Sequence, residues 1–238
     1  TVTSVSGDTY GITAIGTNDA TWCIFDSVTI SMTDPSDQRD NLNANATGII
    51  VTAIYDYDSS VFDGSFTMNN TDYNGDGTVV KWGYTVVSVS GDTFGITTIG
   101  ANDETFMIWD SLTITITDPL DQHNNINTNA TGIYVSAVYD YDSTPFDGTL
   151  TLNHTTYIYA TAQKQGYTVS SASGDAFEIS TISTNDETYC IWDSLTITIT
   201  DPSDQRNNVN SNATGIVVSA IYDYDSSVFD GTFTLNDT

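Results

Sequence analysis

The chain repeats one long stretch three times. The copies run from Gly48 to Asn69, from Gly132 to Asn153 and from Gly215 to Asn236. In the middle copy, apolar side chains occupy every second position from Ile133 to Tyr141, which is typical of a strand with one buried face. An Asp-Ser-Thr-Pro turn and a second alternating run follow. The sequence therefore predicts a hairpin-like pair of strands that is used three times.

The repeat unit has the size of a small domain. The equivalent residues Gly7, Gly91 and Gly174 are separated by 84 and 83 residues (91 − 7 and 174 − 91). A unit of this length is near the roughly 100 residues of an immunoglobulin-like sandwich and can bury a core of its own. A cut before each Thr-rich strand predicts four segments. They are the C-terminal part of a repeat at 1–25, complete repeats at 26–109 and 110–192, and the N-terminal part of a repeat at 193–238.

The periodicity predicts strands throughout and essentially no helix. The runs from Leu112 to Thr117 and from Leu195 to Thr200 alternate Leu or Ile with Thr. No apolar stripe has helical spacing over a helical length. Residues 1–5, 11–15 and 21–25 are predicted to be short strands, and residues 155–161 another. The predicted fold class is all-β, with tandem immunoglobulin-like β-sandwich repeats of about 83 residues.

The charge is strongly one-sided. The chain has 31 acidic and 4 basic residues, for a net charge of −27. Nucleic acid and anionic membranes are therefore excluded as expected partners, because both require clusters of Lys and Arg. No run of 18 or more apolar residues predicts a membrane span. Two interpretations of the carboxylates stay open: a solvated exterior, or divalent cations held between units.

The few cysteines and basic residues align between repeats. Cys23 and Cys190 occupy the position of Met107, which predicts buried free thiols at an apolar strand position. The basic residues are expected to form partly exposed ion pairs worth at most about 1 kcal/mol. An isopeptide crosslink from a lysine is an open alternative. The aligned basic sets are Arg39, His123 and Arg206, and Lys81 and Lys164.

Catalysis is not expected. The two histidines, His123 and His154, have no Ser or Cys partner at a recognisable spacing. Acid–base catalysis by paired carboxylates requires two groups in different environments of one cleft. The chain instead repeats the same pair in each unit, which favours a structural or cation-binding role. The pairs are Asp56 and Asp58, Asp140 and Asp142, and Asp223 and Asp225.

Two sets of residues are candidates for calcium binding. Asp72, Asn74 and Asp76 match the first half of a calcium loop, but Gly83 stands where the bidentate Glu would be. An inserted turn is the alternative for this segment. Asp56, Asp58 and Asp63, with their equivalents in the other repeats, form the second candidate set. No cofactor is expected to be required.

Asn-x-Thr motifs occur twice in each repeat and are candidates for N-linked glycans. The middle residue of the second motif varies through Asn70, His154 and Asp237, whereas the flanking Asn and Thr persist. The alternative is that these side chains only cap turns. The acceptor residues are Asn45, Asn69, Asn129, Asn153, Asn212 and Asn236.

Three sequence motifs carry a resemblance to a known class of repeats. They lie at Tyr139–Asn153, Gly166–Val169 and Cys190–Asp193. They resemble the immunoglobulin-like tandem repeats of large secreted or surface-anchored archaeal proteins and, more loosely, bacterial immunoglobulin-like adhesin repeats. The resemblance covers essentially the whole chain, although the inserted loop of the first repeat departs from it. It implies an immunoglobulin-like fold and a location outside the cell or at its surface.

The expected function is structural. Tandem β-sandwich units would form a stalk, sheath, surface layer or filament. The main partner of the protein would be itself, as a homopolymer or a longer array of the same repeats. Incomplete sandwiches would be completed by more of the same chain or by strands from neighbouring subunits. The alternative is a cell-surface adhesin or a module that binds glycans or proteins. Its contacts would come from Tyr57, Tyr141 and Tyr224 or from the Asn-rich loops.

Overall fold

The computed structural model describes residues 1–36 and 38–236, without the side chain of Asp76. Over these residues the chain is all-β, with one short 3-10 turn at Gly75–Gly77 as its helical element. This confirms the predicted fold class at the level of all-β. In the described residues, no helix is both long enough and apolar enough to cross a membrane.

The strands are short, apart from two of eleven residues. They are β1 Val28–Met32, β2 Arg39–Asn41, β3 Val51–Tyr55, β4 Ser65–Met68, β5 Val80–Ser90, β6 Ile99–Ala101, β7 Glu104–Asp110, β8 Leu112–Ile116, β9 His123–Asn125, β10 Val135–Tyr139, β11 Thr149–Leu152, β12 Gln163–Ser173, β13 Ile182–Thr184, β14 Glu187–Asp193, β15 Leu195–Thr200 and β16 Val217–Tyr222.

The chain divides into two compact units, and each unit combines residues from more than one repeat. The four-segment division by repeats stays a prediction. The first unit contains Thr1–Gln38, Asn45–Tyr73 and Lys81–Met107, and the second contains Arg39–Ala44, Asn74–Val80 and Ile108–Thr238.

In the first unit, β1 lies between β3, which is antiparallel to it, and β6, which is parallel. Ile30 of β1 stands opposite Ala53 of β3. A second pairing joins β4 to β5, and β7 lies on the other side of β5. The alternating apolar residues of these strands form the core. Its buried members include Val28, Ile30, Tyr55, Phe62, Tyr84, Val86 and Val89.

The second unit contains two sheets that enclose a common core in a sandwich-like arrangement. One has the order β10-β8-β13 and the other β11-β12-β14-β9. A second cluster surrounds Trp192 and Tyr167. Within this unit β2 also pairs, in parallel, with the last three residues of β7. The main core is formed by Leu112, Ile114, Ile116, Ala137, Tyr139, Val169, Ala172 and Ile179.

The predicted hairpin is wrong, because its two strands in the middle copy, β10 and β11, do not pair with each other. β10 pairs with β8 and β11 pairs with β12, in different sheets, since each strand finds its partner elsewhere in the chain.

We refer to the antiparallel pair of β15 with β16, the equivalent of β8 with β10, as the third hairpin. Its apolar face is open to solvent. In the second copy, the equivalent positions on β8 are covered by residues of β12 and by Ile179. Burial at equivalent residues therefore depends on the presence of the covering segment. The exposed fractions are 0%, 2% and 5% for Leu112, Ile114 and Ile116, and 36%, 55% and 57% for Leu195, Ile197 and Ile199.

Residues 1–25 form no strand in the described structure, so the three short strands predicted there are wrong. Their large apolar side chains are exposed, among them Trp22 and Phe25. The physical reason is that an alternating segment becomes a strand only when a neighbour accepts its hydrogen bonds. Residues 155–161 are not a strand either, and Tyr157 from this segment stacks on Tyr167 at a centroid distance of 5.4 Å.

Candidate functional site

The candidate site is built around Arg39, at the start of the three-residue strand β2. Arg39 stands opposite Ile108 in the parallel pairing of β2 with β7. The pairing is extended by the amide of Leu42, which donates to the carbonyl of Asp110 at 3.2 Å. These backbone contacts join β2 to the last two residues of the first repeat and to Asp110, which begins the second repeat. The whole arrangement lies within the second compact unit.

Two carboxylates receive the Arg39 side chain. Its Nε donates to Asp110 Oδ2 at 2.8 Å, and its Nη2 lies 2.7 Å from the same oxygen. Nη2 also lies 3.0 Å from Asp142 Oδ1. Arg39 is 7% exposed and Asp110 is 0% exposed. The expectation of a partly exposed, weak ion pair is therefore wrong at this position, because the sequence could not show that both groups lose contact with water.

Aromatic rings form the rest of the Arg39 environment. The guanidinium carbon lies 4.4 Å from the ring centroid of Tyr139, 5.0 Å from that of Phe177 and 5.9 Å from that of Tyr141. A planar guanidinium suits such faces better than an ammonium, because it stacks and still presents its donors in plane. We refer to Asp110, Asp142, Tyr139, Tyr141 and Phe177 together as the arginine socket.

The socket is held rigid by further hydrogen bonds. Asp110 Oδ1 accepts from the amides of Ser111 at 2.8 Å and Tyr141 at 3.0 Å, so both carboxylate oxygens are used. The Tyr139 hydroxyl donates to Asp175 Oδ2 at 2.8 Å. Burial first, and then the bond to Asp175, raise the pKa of Tyr139. This tyrosine therefore stays a neutral donor beneath the guanidinium.

The charges of the socket are mutually reinforcing. Burial opposes the charged guanidinium, but the hydrogen bonds and attraction from Asp142 and Asp110 outweigh it, so the pKa of Arg39 is raised. The pKa of Asp142 is lowered from 3.8 to about 2. The hydrogen bond from the Thr144 hydroxyl is the largest cause, Arg39 adds to it, and burial opposes both. Both groups therefore carry full charge at neutral pH.

This shift predicts an acid-sensitive stability. Because the folded pKa of Asp142 is about 2, below the ordinary 3.8, its contribution is complete above about pH 4 and is lost as the pH falls towards 2. We expect the unfolding midpoint in urea to fall across this window in the parent chain. The Asp142→Asn variant, which cannot titrate at this position, should show a shallower decrease than the parent. Equal slopes in the two chains would contradict the assignment.

The next repeat has the same arrangement with histidine in place of arginine. His123 Nε2 lies 2.8 Å from Asp193 Oδ2, and Asp193 Oδ1 accepts from the amides of Ser194 and Tyr224, both at 2.9 Å. His123 is 47% exposed. The shorter side chain leaves an open pocket of about 340 Å³ beside Tyr222. The joint is therefore repeated, but in a looser form.

The carboxylates proposed as a repeated calcium site are held by hydroxyls. Asp56 accepts from Ser27 and Thr29, and the Ser27 bond contributes most to lowering the pKa of Asp56. Asp58 accepts from the Ser60 hydroxyl. Among the described residues there is no group of three or more His, Cys, Asp or Glu side chains able to hold a metal ion. Calcium at these positions stays a prediction.

Asp63, the third residue of this candidate calcium set, has different hydrogen-bond donors from Asp56 and Asp58. It accepts from the Tyr55 hydroxyl at 2.8 Å and from the Thr93 hydroxyl, which contributes most to lowering its pKa. Tyr55 also donates to Asp92. The three carboxylates of the proposed set thus have distinct protein donors. The Ser, Thr and Tyr hydroxyls that supply these bonds were visible in the sequence, but most of them are distant from their carboxylates along the chain: Ser27 and Thr29 bond Asp56, and Thr93 bonds Asp63.

The half calcium loop of the first repeat packs against a tryptophan. Gly75 has a φ of +68°, and a Cβ on it would lie 2.5 Å from two carbons of the Trp109 ring. Trp109 Nε1 donates to the carbonyl of Ala44 at 2.7 Å. Of the proposed ligands Asp72, Asn74 and Asp76, the side chain of Asp76 lies outside the described residues. The close fit of Gly75 supports a packing role for this loop.

All six candidate glycosylation residues have exposed side chains. The second asparagine of the first two motif pairs also has a structural contact. Asn69 Oδ1 accepts from the amide of Thr85 at 2.9 Å, and Asn153 Oδ1 accepts from that of Thr168 at 3.0 Å. These bonds fasten the residues after β4 and β11 to the following long strand. Nδ2 also donates to a carbonyl at both positions, that of Gly83 at 3.1 Å and that of Gly166 at 3.5 Å, which uses one of its two hydrogens. Glycosylation stays a prediction at both positions.

The remaining sequence candidates differ in their burial. Cys190 is buried and free, and burial raises the pKa of its thiol. Cys23 is free but exposed, so the expectation of burial is wrong there, since residues 1–25 form no strand. Lys81 Nζ lies 3.7 Å from the Phe106 ring centroid. The equivalent lysine makes the same kind of contact, which gives these exposed lysines a cation–π role.

Sequence reasoning missed the aromatic part of the socket. Tyr139 was assigned only to the buried face of its strand and Phe177 was assigned no role, although both positions recur in the repeats. The tyrosine recurs as Tyr55 and Tyr222, and Phe94 is the equivalent of Phe177. Comparison with protein-family models, with curated proteins and with solved structures finds no match to this chain.

Proposed function

We propose that this chain is a structural repeat protein of the cell exterior. In it, immunoglobulin-like β-sandwich units are joined in series as part of a stalk, sheath, surface layer or filament. The observation that carries the proposal is the burial of Arg39 among two carboxylates and three rings that belong to the following repeat. A buried, multiply bonded joint restrains consecutive repeats where a flexible linker would leave them independent.

The recurrence of the joint supports a serial architecture. His123 and Asp193 repeat the contact of Arg39 and Asp110 with the same backbone donors around the carboxylate. An interaction that recurs at the period of the sequence belongs to the way units are connected. A catalytic or ligand site would instead require one cleft in which related residues differ in environment.

An exterior location is supported by surface chemistry and by the family resemblance. The six Asn-x-Thr acceptors are exposed, as glycan attachment requires. The net charge of −27 keeps such a surface hydrated and discourages indiscriminate association. N-linked glycans are therefore part of the proposal, and bound Ca²⁺ is a subordinate one. The proposed main partner is a further copy of the same kind of repeat.

The test is immunoelectron microscopy of the cells that make the protein. An antibody against the chain should label a continuous surface layer, sheath or filament, and preadsorption with purified chain should remove the label. Labelling restricted to the cell interior would contradict the proposal. In parallel, intact-mass measurement of the native material before and after deglycosylation should show a mass decrease if the exposed acceptors carry glycans.

The adhesin alternative gains no specific support from the arrangement of its expected contact residues. Tyr141 was expected to contact an external glycan or protein, but its ring lies 5.9 Å from the Arg39 guanidinium carbon and its amide bonds Asp110. Saturable binding of the chain to a glycan array, retained in the Arg39→Met variant, would favour the adhesin instead.

A further inference from the structure

The third hairpin presents an apolar surface without a cover in the described structure. A pocket of about 320 Å³ on this surface is lined by residues of β15, β16 and the segment that follows them. In the second copy, the equivalent surface is covered by Val169 and Ala172 of β12 and by Ile179. The lining of the open surface includes Leu195, Ile197, Ile199, Val218, Phe233 and Leu235.

Residues 1–25 contain the equivalents of these covering side chains. By repeat equivalence, Val2, Val5 and Ile12 correspond to Val169, Ala172 and Ile179, and Ile15 corresponds to Ile182. The four residues of this segment are between 38% and 59% exposed. The chain thus has both an uncovered apolar surface on the third hairpin and, in residues 1–25, the equivalent of the segment that covers this surface in the second copy.

The first unit contains an arginine socket without an arginine. A pocket of about 330 Å³ there is lined by the equivalents of all five socket residues. Asp26 is already arranged like Asp110, because its Oδ1 accepts from the amides of Ser27 at 2.8 Å and Tyr57 at 3.0 Å. The five equivalents are Asp26, Asp58, Tyr55, Tyr57 and Phe94.

A matching arginine is also exposed on the chain. Arg206 is the equivalent of Arg39 and His123, and its side chain is exposed. Among the described residues, Arg39 and His123 of this aligned set form ion pairs with carboxylates, and Arg206 forms none. An acidic pocket and an unburied cation of the type that fills its closed counterpart are complementary in charge and shape.

One docking event would satisfy both surfaces. In the closed second repeat, β9 pairs in parallel with β14, so that His123 faces Ile191 and Asn125 faces Asp193. Transferred by repeat equivalence, this register places Arg206 opposite Ile24 and Asn208 opposite Asp26. A segment that covers the third hairpin in this register therefore also places the vacant socket at Arg206. No change of register is needed.

We propose that residues 1–26 of a second copy complete the open hairpin of residues 193–236, and that Arg206 enters the socket around Asp26 of that second copy. The inference rests on the proposed structural function and names its partner. Strand donation supplies backbone hydrogen bonds and the covering side chains, and the arginine sets the register. Because the two surfaces differ, the contact is head-to-tail and generates open linear polymers.

The first test is a disulfide placed across the proposed pairing. In the closed second repeat, Thr149 faces Ser173 in the pairing of β11 with β12. The equivalent pair across two copies is Thr232 and Ser6. The full chain with Cys23→Ser, Ser6→Cys and Thr232→Cys should form a ladder of dimers, trimers and longer species under mild oxidation, and reductant should collapse it to monomer.

The chains with only one of the two introduced cysteines are the matched controls and should stop at dimers, because the remaining Cys190 is buried. A misaligned pair, Ser4→Cys with Thr232→Cys, should form the ladder much more slowly. Only monomer and dimer in the Ser6→Cys, Thr232→Cys chain would overturn the proposal. An internally crosslinked monomer of high gel mobility would also overturn it, because the donated segment would then come from the same chain.

The second test isolates the socket. Sedimentation velocity of the otherwise unmodified chain should show concentration-dependent oligomers, and Arg206→Gln should raise the concentration of half-assembly at least about tenfold. Lys164→Gln, which removes an exposed cation outside the socket, should leave it unchanged. An unaltered assembly of Arg206→Gln would refute the arginine contact. A chain that stays monomeric would refute strand donation but leave the surface-labelling test of the proposed function unaffected.

Discussion

Replacing Arg39 by methionine is expected to lower the free energy of unfolding by about 3–5 kcal/mol. Methionine retains much of the apolar stem but leaves Asp110, which is 0% exposed, without its cation. The carboxylate cannot recover the lost interaction from water. Urea unfolding followed by tryptophan fluorescence measures the loss, since Trp109 and Trp192 are both fully buried.

His123→Met is the matched control for this prediction. The histidine makes the equivalent contact with Asp193 but lies beside an open pocket, so water can replace it. We expect a loss of about 1 kcal/mol or less, in the range of exposed ion pairs. Similar losses in the two variants would show that burial of the joint is not the source of its strength.

Substituting alanine for Gly75 should lower the free energy of unfolding by about 2–4 kcal/mol. About 1–2 kcal/mol comes from holding a residue with a Cβ at a left-handed φ, here +68°. The rest comes from overpacking against the Trp109 ring, which the added carbon would approach to 2.5 Å. Thermal unfolding monitored by near-ultraviolet circular dichroism measures both the stability and the environment of the tryptophan.

Gly166→Ala provides the control for this substitution. A Cβ at Gly166 would meet its nearest neighbour, the Thr188 carbonyl oxygen, at 3.9 Å, which is an ordinary contact. We expect a change within about 0.5 kcal/mol, as for an unconstrained surface position. If Gly75→Ala proved equally neutral, the inserted loop would not be packed on Trp109, and the calcium-loop interpretation would regain weight.

The all-β architecture could be predicted because a two-residue period is a local property of the sequence. The alternation in Leu112–Thr117 indicated which side chains of β8 enter the core, and Leu112, Ile114 and Ile116 are buried as expected. The segment 1–25 has equally good patterns but no strand. A pattern specifies what a segment can pair with, whereas the pairing itself also requires a neighbour.

The arginine socket could not be predicted because its members are far apart in the sequence. Position 39 meets positions 110 and 142 through the parallel pairing of β2 and β7, and no local rule anticipates that contact. The aligned Arg39, His123 and Arg206 indicated a repeated role without showing its depth of burial. Only the loss of solvent around Arg39 changes a weak surface pair into a strong joint.

The Thr face of the alternating strands was also left without a role at the level of sequence. In the structure, Thr113 Oγ1 donates to Asp140 Oδ1 at 2.6 Å, and Ser111 donates to the other oxygen of that carboxylate at 2.5 Å. Asp140 directly follows β10, whereas Thr113 lies in the neighbouring strand β8 and Ser111 directly precedes it. The repeated Asp pairs that looked like candidate ligand sets are therefore explained, at Asp140, by cross-strand hydrogen bonding.

The enclosure of Arg39 gives the protein an unusual response to salinity. Dissolved ions screen exposed charges over about 10 Å at 0.1 M and over shorter distances in brine. The surplus carboxylates, which account for a net charge of −27, repel one another through water and are relieved by that screening. The guanidinium, 7% exposed, is shielded from the same ions. Concentrated salt therefore weakens the repulsion between carboxylates along the chain but leaves the contacts of Arg39 in the arginine socket in place.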